Sequence, residues 1–278
     1  QKANALLSLD SDRRVSFMVN QIKEALASTG GRGLDAIDPS WLAHELAGES
    51  PRIVAAILVT LPAKIIKSVA KRLPSTLREK LPRKKEVESI SPTILRAMRQ
   101  HFESRFAVMP TVPALKSFSF RDIIRLERKE LSILMRTIGL VELGQAFVSV
   151  GKMALIDFCR KLPKEEANEL IEAVKRSHTM DEAERKSAQR FLSRVVGTFD
   201  DQEEFFHKAG IWRLAKSSLL EDPSFQLALS QRLPRDPGMI YRRLIDTAKD
   251  MDDLTEELIT RFQDSILLEI PALVERGK

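Results

Sequence analysis

The sequence predicts an all-α protein, on three observations. Leu, Ala, Lys, Arg and Glu dominate its 278 residues, while glycine contributes 11 and aromatics 6%, a mixture rich in strong helix formers. Apolar residues recur at three- and four-residue spacing in segment after segment, and no segment alternates apolar and polar residues long enough to make a strand. Prolines and short polar residues stand where such helices would begin or end.

Taken in order, Leu6, Leu7, Val15, Met18, Val19, Ile22 and Leu26 mark one face of a helix over 3–28. STGGRG (28–33) ends it, because glycine tolerates the positive φ of a helix C-terminus. Asp38 and Pro39 restart a helix as N-cap and first residue. Further helices are predicted over 51–60, over 63–73 and from Ser91 onward. AVMPTVPALKS (107–117) carries two prolines, and the linker is placed within it at 109–117. A second helical block covers 118–196, GTFDD (197–201) breaks it, and a last helical block runs to 278. The expected organisation is therefore an N-terminal helix and linker (1–37), a helical unit (38–108), a linker, a second unit (118–196) and an extra unit (197–278).

One pattern recurs. ESPRIVAAILVTLP (49–62) returns as EDPSFQLALSQRLP (221–234), and more weakly as VGKMALIDFCRKLP, which ends at Leu162-Pro163. Proline ends one helix, since the residue before it avoids the α region, and pre-sets φ for the next. A helix pair of this kind has an apolar face that it cannot bury alone, so neighbouring pairs must stack. The sites are irregularly spaced, which argues for compact right-handed stacks joined by linkers rather than a short-period array. Chance resemblance among short helices is the alternative. If the units are equivalent, Ile53, Ile57 and Leu58 correspond to Phe225, Leu229 and Ser230, with Leu61 and Leu233 facing inward. Trp41 and Trp212 would each cover the apolar side of their own unit. Ser230 is the weak correspondence, a polar residue where an apolar one is buried.

Charge is uneven. The net charge is +6, but Lys64, Lys67, Lys71, Arg72, Arg78, Lys80, Arg83, Lys84 and Lys85 face a single acid, Glu79. Lys64, Lys67 and Lys71 share one helical face, opposite Ile65, Ile66, Val69 and Leu73. This basic patch, with Arg72, is either a solvated helix face or a contact for RNA or anionic lipid. Stacking aromatics and RNA-reading motifs do not accompany it.

Signals for chemistry are weak. His44, His101, His178 and His207 do not pair at metal-binding spacing, so no metal site is expected. GGRG lacks the strand and the Lys-Ser/Thr of a phosphate loop. No nucleophile with a neighbouring base is evident, and neither an enzymatic activity, a cofactor nor a small-molecule substrate is expected. Cys159, the single cysteine, suits a small buried hydrophobe in a reducing compartment. The longest apolar run, IVAAILVTL, is too short to cross a bilayer.

ALASTGGRGLDAIDPSWLAHELAGESPRIVAAILVTLPAKIIKSVAKRLPSTLREKL resembles the start of the middle domain of the flagellar motor switch protein FliG family. FSFRDIIRLERKELSILMRTIGLVELGQAFVSVGKMALIDFCRKLPKEEANELIEAVKR is similar to that family's C-terminal domain, without a gap. The resemblance covers roughly residues 20–196. It implies armadillo-like right-handed α–α superhelical units and a non-enzymatic rotor subunit of the bacterial-type flagellum basal body, serving motility and chemotaxis. It also implies a cytoplasmic protein, peripheral at the inner membrane, that forms homo- or hetero-oligomers with FliM-like partners and neighbouring FliG-like subunits. In the family a Glu-His-Pro-Gln motif opens the FliM-binding surface; here Glu49, Ser50, Pro51 and Arg52 stand in its place, with Ser50 and Arg52 departing. Phe118 and Phe120 match the family's Phe-x-Phe hinge, although Ser117 replaces the Met before it. A segment of the middle domain before the hinge is missing. On the stator-facing helix the resemblance points to Glu165, Glu169 and Glu172. There Glu165 stands for an Arg, Glu172 for an Asp and Ala173 for an Asp, while Val148 replaces a Lys and Asp181 an Arg. Only Glu172 keeps its sign, so torque-bearing charges are largely altered. The final block, 202–278, lies beyond the family's usual end. A basic adaptor binding RNA or anionic lipid through Lys64–Lys85 remains the alternative from another functional class.

Overall fold

The computed structural model describes residues 33–82, 86–87, 89–109, 119–178, 181–195 and 202–270. The helix expected over 3–28, the residues of GTFDD, and Arg83, Lys84, Lys85 and Phe118 all lie outside them. Every regular element among the described residues is helical. The chain divides into two compact units, 1–109 and 110–278.

In the first unit, α1 (Pro39–Leu46) begins as expected: the Asp38 carboxylate accepts from the Ser40 backbone N–H at 2.9 Å, and Pro39 opens the helix. α2 (Pro51–Leu58) and α3 (Ala63–Ala70) flank Leu61-Pro62. α2 is shorter than the apolar pattern suggested, because Val59 to Leu61 close it as a turn in which the Thr60 hydroxyl bonds the Ile57 carbonyl. A one-turn α4 (Ser75–Arg78) and α5 (Pro92–Glu103) follow. α1 packs on α3 and α2 on α5. Trp41, Ile57, Leu61, Val69, Leu73 and Phe102 are buried in it. Arg99 on α5 ties the Leu-Pro turn down by donating to the Thr60 carbonyl at 2.7 Å.

The second unit begins with a 3-10 helix, Phe120–Arg125, held by reciprocal Ser119 and Asp122 capping. The 23-residue α6 (Arg128–Val150) follows, then α7 (Lys152–Cys159), α8 (Lys164–Ser177), α9 (Glu182–Val195), α10 (Gln202–Ser217), α11 (Pro223–Arg232), α12 (Arg235–Lys249) and α13 (Glu256–Leu267). α8, α9 and α10 all pack on α6. Two close approaches explain how so many helices reach it. A Cβ on Gly139 would lie 1.9 Å from the Phe206 carbonyl oxygen, and one on Gly210 1.9 Å from that of Met135, so α6 and α10 cross backbone to backbone. Gly144 meets α8 in the same way, at Ala173 and Ser177.

Two expectations change here. Residues 202–270 do not form a compact unit of their own. Phe205, Phe206, Ala209 and Trp212 of α10 belong to the same apolar cluster as Leu143, Phe147 and Leu170. The Gly and Asp of GTFDD are a turn signal in the sequence, and a turn signal need not be a break between cores. Second, α6 is long and apolar enough to cross a membrane by length and composition, contrary to a scan for uninterrupted apolar runs. It is instead the central helix of the unit, where Leu134, Ile138, Leu143 and Ala146 are buried.

Candidate functional site

The tetrapeptide at the start of α2 is mostly presented to solvent. Ser50 and Arg52 are exposed and Pro51 is half-buried at the first helical position. Ser50 makes no side-chain capping bond, so the first N–H groups of α2 are not satisfied by their own cap. Glu49 is half-buried and ion-paired to Arg105 at 2.6 Å, with Glu45 at 3.8 Å from the same guanidinium. Arg105 also lies over the Phe102 ring, 5.7 Å from its centroid. The acid is thus a tie within the unit, and Ser50 and Arg52 are the residues left facing outward.

The basic face takes the form its spacing implies. Ile65 and Val69 of α3 point inward, with Leu73 just beyond it, and Lys64, Lys67, Lys71 and Arg72 are exposed. Arg72 donates to the Ser68 carbonyl at 2.9 Å, which steadies the end of the helix.

On α8, Glu165, Glu169 and Glu172 are all exposed. Two of them are engaged by their own chain: Glu169 pairs with Arg136 of α6 at 2.6 Å, and Glu172 with Lys175 at 2.6 Å. That hydrogen bond to Lys175 holds the Glu172 carboxyl below its ordinary range. Ala173, the neutral position in this series, is buried against Gly144 rather than lying on the charged face. Phe120 is buried too, its ring 6.2 Å from that of Phe225 on α11. Whatever its partner Phe118 does, Phe120 is an anchor between the 3-10 helix and α11.

A buried polar network escaped the sequence reading. Glu142, Arg213 and Lys216 are all but fully buried at the meeting of α6, α9, α10 and α13. The Lys216 ammonium donates to Glu142 Oε1 at 2.6 Å and to Ser187 Oγ at 3.0 Å. Arg213 donates to Glu142 Oε2 at 3.1 Å, to Gln145 Oε1 at 3.0 Å and to Ser265 Oγ at 2.8 Å. Gln145 in turn donates to Glu184 at 2.9 Å, which brings a second carboxylate to within 3.9 Å of Arg213. The Phe262 ring lies beneath both cations, 4.4 Å from Lys216 and 4.8 Å from Arg213. Burial above all, helped by the neighbouring Arg213 charge, holds the Lys216 amine down to about 8 against the opposing pull of the Glu142 carboxylate. With Glu142 and Lys216 both at 0% exposure, no substrate reaches this centre. It is a four-helix tie. The signal was present: Glu142 and Gln145 interrupt an otherwise apolar stretch, IGLVELGQAF, as Arg213 and Lys216 interrupt GIWRLAKSSLL.

The structure also brings Ser132 Oγ within 3.2 Å of His207 Nε2, a pairing no sequence spacing announced. Ser132 is the fifth residue of α6, on its exposed face, where the helical hydrogen-bond ladder has already begun at Leu131 N–H to the Glu127 carbonyl. The backbone N–H groups around it serve the helix and are not free to form an oxyanion site, so the contact is a surface hydrogen bond. Among the described residues no group of His, Cys, Asp and Glu is arranged to hold a metal ion. Burial pushes the Cys159 thiol up, away from a reactive thiolate. No protein-family model, curated protein or solved structure matches the chain.

Proposed function

We propose that the chain is a non-enzymatic structural subunit of FliG-like character. In this reading its armadillo-like right-handed helix pairs assemble with other switch or basal-body proteins, peripheral to the inner membrane. The observation that supports it most is the start of α2, where Ser50 and Arg52 are exposed at the position the resemblance assigns to a partner, on a helix anchored at its far end by Leu61. Co-purification of the intact protein from its own cells tests the reading. Flagellar switch or basal-body proteins are expected to come with it, in amounts reduced by Arg52→Glu. Their absence from the purified complex would overturn the assignment.

As a torque-bearing rotor the chain is compromised. Glu169 and Glu172 are paired within the chain, and Ala173 is buried. Only Glu165, of reversed sign, stands clear. Substituting residues 164–177 for the matching helix of a motile host's rotor protein is expected to abolish rotation while leaving assembly intact. Normal swimming would contradict this.

A further inference from the structure

We propose that the outer face of α3 and the turn after it form an electrostatic contact for an anionic lipid bilayer. The apolar edge of α3 leaves no freedom here. Ile65 and Val69 must face the core, with Leu73 following, so Lys64, Lys67 and Lys71 are carried together on the opposite side. Arg72, Arg78 and Lys80 continue the exposed positive series, and Glu79 is the one acid from Lys64 to Lys85. The ion pairs described in this unit belong to Arg99 and Arg105, and the α3 lysines take no part in them. Six like charges exposed between Lys64 and Lys80 repel one another, and an anionic surface relieves that repulsion.

The chemistry favours a bilayer over RNA. Single-stranded RNA is held by aromatic side chains that stack on bases between the cations. Among the described residues of this unit the exposed large apolar side chains are aliphatic: Val59, Ile94 and Val108. Val59 ends α2 directly before the turn into α3. Lysines dominate the face, and as compact point charges they suit a diffuse headgroup layer better than planar recognition. The assembly reading does not require this surface, and a vesicle contains no protein partner, so either proposal can fail alone.

Sedimentation of the full chain with vesicles of phosphatidylcholine, with and without phosphatidylserine, tests the proposal. Binding is expected only with phosphatidylserine, falling steeply with added salt, since exposed charges are screened beyond about 8 Å at physiological ionic strength. Each lysine neutralised should weaken it about fivefold. The Lys64→Gln, Lys67→Gln, Lys71→Gln variant keeps its exposed positions and should melt as the native protein does, yet lose binding. If it melts early, the three single variants carry the test instead. Equal binding to both vesicle types, binding unchanged in the variants, or tighter binding to single-stranded RNA than to phosphatidylserine vesicles at the same salt would overturn the proposal.

Discussion

The two strong copies of the Leu-Pro helix, α2 and α11, share punctuation but differ in environment. Both open with proline, and both bury the same inner positions: Ala56 and Ala228, Ile57 and Leu229, Leu61 and Leu233. Their N-termini diverge. Ser50 makes no capping bond, whereas Asp222 accepts from the Phe225 N–H at 2.9 Å and from the Ser224 hydroxyl. Those two bonds, with Arg121 2.6 Å away, hold the Asp222 carboxyl down to about 2. Arg121 also pairs with Glu221 at 2.7 Å and lies 5.4 Å from the centroid of the Phe225 ring. Their interiors diverge too. Val54 corresponds to Gln226, which donates to the carbonyls of Ser218 and Glu221, and Leu58 to Ser230, which is fully buried and donates to the Leu227 carbonyl at 2.6 Å. One motif thus serves as an open end in the first unit and as a locked strut in the second. Gln226 and Ser230 are tolerated inside the strut because each finds a backbone partner.

The largest effects should come from breaking what only the second unit has. Glu142→Ala leaves Arg213 and Lys216 buried without their shared carboxylate, and should cost about 3–5 kcal/mol in urea unfolding. A loss below 1 kcal/mol would mean the cations find water, and the tie is not closed. Truncation of the shared anchors comes next. Leu233→Ala and Leu61→Ala should each cost about 2–5 kcal/mol, because both side chains are core. If only one of the two lowers the melting point, the copies are not equivalent units.

A smaller, pH-dependent effect sharpens the contrast. The folded chain holds the Lys216 proton less tightly than the unfolded chain, at about 8 against an ordinary 10.5. Through that window the unfolded state binds more protons, so stability from this site rises as pH rises. Native protein should therefore gain on Lys216→Met between pH 7 and pH 10, as measured by parallel urea titrations at about those values. A gap that stays flat, or moves the other way, would place Lys216 outside the buried network. The smallest difference lies in the caps. Asp222→Ala should lower the melting temperature by a few degrees, while Ser50→Ala should leave it unchanged, since Ser50 makes no capping bond. Equal responses would erase the distinction between the two N-termini.

Much of the helical layout was legible because its signals are local. Asp38-Pro39, Ser91-Pro92 and Leu61-Pro62 act through φ restriction and end-group satisfaction, which need no partner. The outward turn of Lys64, Lys67 and Lys71 follows from period alone. Ser230 shows where pattern reading weakens: its burial follows from the repeat, but the intrahelical bond that permits it does not. The rest was hidden because it is long-range. The Gly139–Gly210 crossing and the Glu142–Arg213–Lys216 tie each join residues about 70 positions apart, and single-sequence periodicity carries no record of which faces meet. The boundary expected at 197–201 was misplaced for the same reason, since a polar break says nothing about whose core the next helix joins. Among the candidate contact residues, Glu49 and Phe120 proved to have partners inside the chain, at Arg105 and Phe225.

We propose that α2 offers its N-terminus to another protein, whereas the N-terminus of α11 is engaged within the fold by Asp222 and Arg121. In-cell photo-crosslinking from position 52, with the equivalent exposed position 224 as control, tests this most directly. The account predicts an adduct from position 52 containing a switch or basal-body protein, identified by mass spectrometry, and none from position 224. No adduct at 52, or the same adducts from both positions, would contradict it.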